Sequence, residues 1–308
     1  MEVASAPRIG ERDLTPACSS DPVSVTWQQA ESILIPAQLL LAMLGMGATL
    51  SLQEFFKVVL HPKGVLIGVG LQWLVVPLLG LAWGALFRLS PGWAVGFLLV
   101  TVTPGGAFSN LMTFIARGHT PLSISVTLVA TLACIVTSPT LLRVFASGHL
   151  PPDFSFPAGR IIFEVALYLV LPLAAGMAVH RYANRHATLV SKLAIWTSMA
   201  LVLVIAGGAL TTGRIEVVAY GWAPPAQILL FALVIHLLAG EVARLLGCND
   251  DETMALSIEV SVRNGGVGLL LLQFFFPGQL EQAHALYTIL FYTGLQIFVP
   301  IPAMLRHR

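Results

Sequence analysis

Charge is scarce in this chain. Aspartate, glutamate, lysine and arginine together make up 10% of its 308 residues, against about 25% in an ordinary soluble domain. A soluble core of this length needs a charged surface, and there are too few charges to build one. The near balance of 16 basic and 15 acidic residues leaves no basic excess to attract nucleic acid. Cysteines are equally few: Cys18, Cys134 and Cys248 lie far apart with no metal-ligand spacing, and read as small tail or buried residues. Also missing are Gly-x-Ser-x-Gly, His-Glu-x-x-His and any pair of carboxylates inside an apolar stretch, so nothing supports an intramembrane enzyme.

What the chain has instead is hydrocarbon. Hydrophobic residues make up 56% of it, and they gather in stretches close to the roughly 20 residues that cross a bilayer as a helix. The fold class is therefore an all-α polytopic membrane protein. The apolar segments run over 33–52, 64–87, 93–117, 121–145, 160–180, 189–211, 224–246, 253–276 and 284–305, about nine transmembrane helices. Residues 1–30 carry Glu2, Arg8, Glu11, Arg12, Asp13 and Asp21 among prolines and serines. They contain neither a signal peptide nor a span, and are expected to form a mostly disordered polar tail with a short amphipathic lead-in at Trp27–Glu31, followed by a membrane unit over 31–308. Prolines inside the segments, such as Pro77, Pro139, Pro172 and Pro300, read as packing kinks that neighbouring helices can tolerate.

Basic residues orient the chain. Lys57, Lys63, Arg117, Arg181, Arg185, Lys192, Arg244, Arg306 and Arg308 fall on one set of alternating loops. Arg88, Arg143, Arg160 and Arg214, with Arg8 and Arg12 of the tail, fall on the other. The larger set belongs inside, which predicts an external N-terminus and a cytoplasmic C-terminus.

Two of the apolar segments are interrupted. In the first, Thr101-Val-Thr-Pro-Gly-Gly-Ala-Phe-Ser-Asn110 sets Pro104, Gly105 and Gly106 before two polar side chains, Ser109 and Asn110. In the second, Glu259-Val-Ser-Val-Arg-Asn-Gly-Gly266 holds a carboxylate and an arginine, Arg263, one helical turn apart. Ionisable groups at membrane depth are costly and point to function. Paired interruptions in the two halves of a hydrophobic chain point to a transporter's binding site. A helix that stops and restarts leaves free carbonyls on one side of the gap and free N–H groups on the other. The carbonyls suit a cation, and the N–H groups with their dipole suit an anion. Ser109 and Asn110, Ser123 and Thr127 on one face of the next helix, and Glu259 offer the oxygen ligands that a hard cation takes. Elsewhere, Glu164 and Glu241 lie near segment ends, and a lone mid-helix His236 reads first as a satisfied core residue and second as a proton relay. Asp250, Asp251 and Glu252 suit a helix N-terminus.

At these residues the sequence resembles the bile acid:sodium symporter family. The run from Thr103 through Pro-Gly-Gly-Ala-Phe-Ser-Asn to His119, continuing to Ser123 and Thr127, is similar to the family's Pro-Gly-Gly-x-x-Ser-Asn signature. Ile258-Glu-Val-Ser-Val-Arg-Asn-Gly-Gly266 is similar to its Ile-Glu-Val-x-x-Gln-Asn-Ser-Gly signature, and Leu44-Gly-Met-Gly-Ala-Thr-Leu-Ser51 to an early Phe-Gly-Met-Gly motif. The resemblance implies inverted repeats with two crossed discontinuous helices. It also implies a panel domain, here 33–52, 160–180 and 189–211, that rocks against a core domain, here 64–145 and 224–305. Bacterial members have a further first helix, whereas some animal members have nine spans.

The resemblance further implies a first sodium site at Ser109, Asn110, Ser123, Thr127 and Glu259. A second site is matched by Gln72, Val260, Val262 and the shared Glu259, but its last ligand, a glutamine in the family, is Arg263 here. The guanidinium is expected to stand in for that cation and to pair with Glu259, leaving at most one Na+; an Arg263 that faces the substrate is the alternative. Substrate contacts are expected at Gly105, Gly106, Ala107, Phe108, Asn264 and Gly265. The implied activity is sodium-coupled transport of a small organic anion such as a keto or hydroxy acid, with bile-acid-like anions possible, across a bacterial inner membrane. Proton-coupled or sodium-independent transport and a non-transporting ligand sensor remain as alternatives. An arsenite-type exporter is disfavoured, because the cysteine expected at its broken helix is replaced here by Thr103 and Ser109.

Overall fold

A computed structural model describes residues 22–51, 53, 62–145, 158–213, 215, 217–275 and 282–306. The described chain is helical throughout, and its one strand-like feature is an isolated backbone bridge between Gly105 and Arg263. Among the described residues, five helices are long and apolar enough to cross a membrane: Gln29–Gly47, Pro62–Leu86, Thr120–Phe145, Asn184–Thr211 and Ala223–Leu245. Helix Asn184–Thr211 has a mean hydropathy of 2.1 with only 22% of its apolar window buried. Such a surface, with Leu193, Trp196 and Leu203 outward, is stable only against hydrocarbon. The protein is an integral membrane protein.

In chain order, helix α1 is Pro22–Gly47 and α2 is Pro62–Leu86. The first interrupted segment gives α3 (Pro91–Val102) and α4 (Ala107–Ile115). Helices α5 (Thr120–Phe145), α6 (Ala158–Tyr182), α7 (Asn184–Thr211), a single turn α8 (Val217–Tyr220) and α9 (Ala223–Leu245) follow. The second interrupted segment gives α10 (Asp250–Ser261) and α11 (Gly265–Phe275), and the chain closes with α12 (Gln282–Leu295) and α13 (Ile301–Arg306). The α10 start is fixed as its acidic run suggests, with an Asn249–Glu252 capping box whose two reciprocal bonds are 2.9 and 3.0 Å.

Two boundaries and the interior of one helix differ from expectation. Helix α1 starts at Pro22, within the stretch expected as tail, because Trp27 bonds Glu31 one turn on at 2.7 Å and packs on Gly208 of α7. Residues 1–21, including Cys18, lie outside the described residues, as do Lys57, Arg214, Arg308 and the side chains of Arg160 and Glu164. Helix α2 contains a π-helical turn over Leu71–Val75. The last segment, expected as one helix, stops at Leu295 and resumes at Ile301. Pro300 has no N–H and cannot continue the ladder.

Helix α1 packs on α6 and α7, while α9 packs on α10 and α12 on α3. Where α1 meets α6, Gly47 and Gly176 bring the backbones together: a Cβ on Gly47 would lie 3.1 Å from the Gly176 Cα. Small residues of this kind let membrane helices approach where no hydrophobic force drives them. Short polar contacts tie the loops of one end together. Lys63 Nζ donates to the Gly247 carbonyl at 3.3 Å, His119 N to the Asp251 carbonyl at 2.9 Å, and His180 Nδ1 meets the Ala48 carbonyl at 3.0 Å.

Candidate functional site

The two interruptions meet. Thr103 to Gly106 and Val262 to Asn264 leave the helical path, and each supplies what the other lacks. The Asn264 N–H donates to the Pro104 carbonyl at 2.9 Å, beside the Gly105–Arg263 bridge. Buried backbone groups need partners, and here two broken helices satisfy one another. Gly105 is required by close approach, because a side chain there would collide with the Glu259 carboxylate, whose Cδ lies 2.8 Å from the position of a Cβ.

Glu259 is fully buried and is ringed by hydroxyls from three directions. Ser109 Oγ lies 2.6 Å and Ser123 Oγ 2.8 Å from its Oε2, and Thr127 Oγ1 lies 2.5 Å from Oε1. Asn110 Oδ1 sits on the same hydroxyls, 2.8 Å from Ser123 Oγ and 3.1 Å from Thr127 Oγ1. Helices α4, α5 and α10 thus bring together all five residues expected at the first ion site. Their hydrogens do not suffice. Each hydroxyl has one proton, yet Ser123 faces two acceptors, Ser109 is also 2.6 Å from the Gly106 carbonyl, and Thr127 is also 3.0 Å from the Ser123 carbonyl. A buried cluster with more acceptor oxygens than protons, and a carboxylate at its centre, fits a hard cation.

Arg263 does not join it. No hydrogen bond or salt bridge links Arg263 to Glu259 among the described residues, so the expected direct pair is absent. Both carboxylate oxygens are taken by hydroxyls, and the guanidinium goes elsewhere. Its Nη1 donates to the Thr103 carbonyl at 2.7 Å and lies 3.5 Å from Gln72 Oε1. The Thr103 carbonyl belongs to the buried C-terminal end of α3, where a helix dipole favours positive charge. Gln72 sits in the π turn of α2, a distortion common at functional positions, and its Oε1 also accepts the Gly105 N–H at 3.3 Å. Three buried donors here have no partner: Arg263 Nε, Arg263 Nη2 and Gln72 Nε2. Of the residues matched to the second ion site, Gln72 and Arg263 therefore meet, while Val260 is buried in α10 and Val262 borders a cavity.

That cavity, about 110 Å³, lies between α1 and α7 on one side and the two interruptions on the other. Gly106, Ala107, Phe108, Asn264 and Gly265 line it, whereas Gly105 does not; its N–H is turned to Gln72. Helices α4 and α11 begin at the cavity, so their N-terminal N–H groups and dipoles face it. Asn264 caps α11, its Oδ1 accepting from Gly266 N at 3.1 Å and Val267 N at 3.4 Å, which leaves its Nδ2 donor for a ligand.

Four residues at the site were not anticipated from sequence. Gln296 bonds the Arg263 backbone, Thr103 receives its guanidinium, and Gln38 and Ser198 face the cavity, bonded to each other at 2.9 Å. Thr103 was singled out only as a missing cysteine. The remaining signal was polarity: Gln38 and Gln296 are uncharged amides in apolar segments. His236 is held as a core residue, Nδ1 at 3.2 Å from both the Ser257 carbonyl and Ser261 Oγ.

Comparison with known proteins finds relatives of this chain. The Sodium Bile acid symporter family profile matches residues 36–219, which include the first interruption, while the second lies beyond the matched stretch. An uncharacterized sodium-dependent transporter, YocS, of Bacillus subtilis is 32% identical over 237 residues, covering 74% of this chain and 70% of that protein. A chloroplastic protein of rice described as a probable sodium/metabolite cotransporter, BASS1, is 30% identical over 233 residues, 74% of this chain and 55% of its own length. The sodium-dependent organic anion transporter of rat is 28% identical over 244 residues, 78% of this chain and 64% of its own length. The chain thus spans little more than half of some relatives. The protein is a member of the sodium bile acid symporter family, a family of transporters and not of enzymes.

Proposed function

We propose that this protein is a secondary active transporter of a small organic anion, coupled to a single sodium ion held by Ser109, Asn110, Ser123, Thr127 and Glu259. The observation that carries this is the fully buried Glu259, whose ring of hydroxyls and the Asn110 carbonyl leaves a surplus of acceptors that a cation relieves. The anion sits in the cavity beside the ion, at the N-termini of α4 and α11, with Asn264 Nδ2 as a neutral donor. A cavity of about 110 Å³ suits a short acid better than a steroid. Nine passages arranged as crossed inverted repeats are consistent with the helix order, and the packing of α1 with α6 and α7 supports their acting as a panel that rocks against the remainder. The distribution of basic residues supports a cytoplasmic C-terminus, and the Bacillus subtilis relative supports a bacterial inner membrane.

Arg263 is the tethered replacement for the second cation. Its guanidinium occupies the carbonyl end of α3, a place that suits positive charge. At an effective dielectric near 20, a sodium ion about 4 Å from that guanidinium would be repelled by about 4 kcal/mol, roughly a thousandfold in affinity. Proton coupling is the second reading, favoured by the absence of a countercharge bonded to Glu259. Uptake of radiolabelled short carboxylates into proteoliposomes in sodium and in choline, with and without a pH gradient, distinguishes the two. Uptake that is equal in sodium and choline but driven by the pH gradient overturns sodium coupling.

A further inference from the structure

One polar group on the cavity wall has no partner and no role so far. Gln38 of α1 is 5% exposed, and its Nε2 donates to Ser198 Oγ of α7 at 2.9 Å. Its Oε1 has no hydrogen-bond partner among the described residues. A buried acceptor left unpaired costs free energy that a ligand recovers by supplying a donor. The position of this oxygen matters. Gln38 lies against the first turn of α11: a Cβ added at Gly266 would come within 3.0 Å of Gln38 Nε2 and closer still to Oε1. The buried amide oxygen therefore sits against the first turn of α11, whose helix dipole attracts the ligand's negative end. Acceptor and carboxylate repel unless a hydrogen lies between Gln38 and the ligand.

Resting on the reading of the cavity as an anion site, we infer that Gln38 is a specificity-determining residue that selects carboxylates bearing a hydroxyl next to the carboxylate, 2-hydroxy acids, over the 2-keto acids of the same skeleton. In the hydroxy acid, the carboxylate faces the α4 and α11 N-termini and Asn264, and the adjacent O–H donates to Gln38 Oε1. A keto oxygen in the same place brings a second acceptor to an acceptor. Ser198 Oγ holds the amide by one hydrogen bond, so the selection needs both helices, α1 and α7, in place. A site built to bond a substrate hydroxyl rejects an analogue that lacks it far more strongly than an apolar pocket rejects one extra atom.

The test is competition in proteoliposomes and thermal stabilisation in detergent, using 2-hydroxyisovalerate and 2-ketoisovalerate in saturating sodium. Wild type is expected to prefer the hydroxy acid at least tenfold. Gln38→Met, which keeps the volume but removes the acceptor, is expected to bring the ratio to about one, mainly by weakening the hydroxy acid. Equal affinities in wild type, preference for the keto acid, or an unchanged ratio in Gln38→Met with both acids still bound overturns the inference alone. If neither acid binds the folded wild type, the small-anion reading fails with it. Should Gln38→Met fold poorly, Ser198→Ala, which frees the amide to turn, is expected to reduce the same ratio; a ratio unchanged in a folded Ser198→Ala protein also counts against the assignment.

Discussion

Gln296 holds Arg263 by its backbone: the amide oxygen accepts the Arg263 N–H at 2.6 Å, and the amide nitrogen donates to the Arg263 carbonyl at 3.1 Å. A side chain here does what a neighbouring strand would do. Arg263 stands where α10 has ended and α11 has not begun, so neither of its main-chain groups has a helical partner.

Replacing Gln296 by leucine leaves both groups buried and unpaired, at a cost of about 1–3 kcal/mol each. Gln296→Leu is expected to lower the unfolding temperature in detergent by several degrees, with Gln296→Glu intermediate because it keeps the acceptor. A Gln296→Leu protein as stable as wild type would show that the break is held by other contacts.

Arg263→Gln removes the guanidinium proposed to replace the second cation and puts an uncharged amide in its place. Sodium activation of uptake is expected to steepen, with a Hill coefficient rising from about one toward two. An unchanged sodium stoichiometry in a folded, active mutant would remove the guanidinium from any ion-replacing role.

Gly105→Ala drives a methyl into the Glu259 carboxylate. The carboxylate must turn from at least one hydroxyl, so the sodium-dependent thermal shift is expected to disappear while the cavity, which Gly105 does not line, keeps its shape. A full sodium shift in Gly105→Ala contradicts the ion assignment.

Cys248 gives a pH-dependent readout outside the membrane segments. Partial burial, and then the charge of Glu252, raise its thiol above the usual range, with Lys63 opposing. A raised pKa means less thiolate at neutral pH, and the thiolate is the nucleophile. Maleimide labelling at pH 7 is expected to be several-fold slower than for an exposed peptide cysteine and to accelerate as pH rises. Lys63→Met, which removes the opposing charge, should slow it further.

The helical class and the two interruptions were legible because Pro104, the paired glycines and the polar residues beside them contradict the apolar runs they sit in. So was the convergence of Ser123 and Thr127, since their four-residue spacing puts both on one face of α5. The π turn at Gln72 was not, because a one-residue widening of a helix leaves no mark on hydrophobic periodicity. Nor was the break at Gln296, which looks like one amide in an apolar helix until its partner, far back in the chain, is known. Arg263 was noticed for its charge, and its expected pairing with Glu259 followed from their one-turn separation. Three hydroxyls from α4 and α5 claim the carboxylate first, a competition that no local spacing reveals.

The bond from Asn264 to the Pro104 carbonyl, with the Gly105–Arg263 bridge beside it, also sets an order of events in synthesis. Helices α3 to α5 leave the ribosome long before α10 and α11 exist. Until Glu259 arrives, the hydroxyls of Ser109, Ser123 and Thr127 have no carboxylate to surround, and the Pro104 carbonyl has no N–H. The first half of the protein must therefore wait in the bilayer with an unfinished gap, and the cluster around Glu259 is among the last features of the molecule to be made.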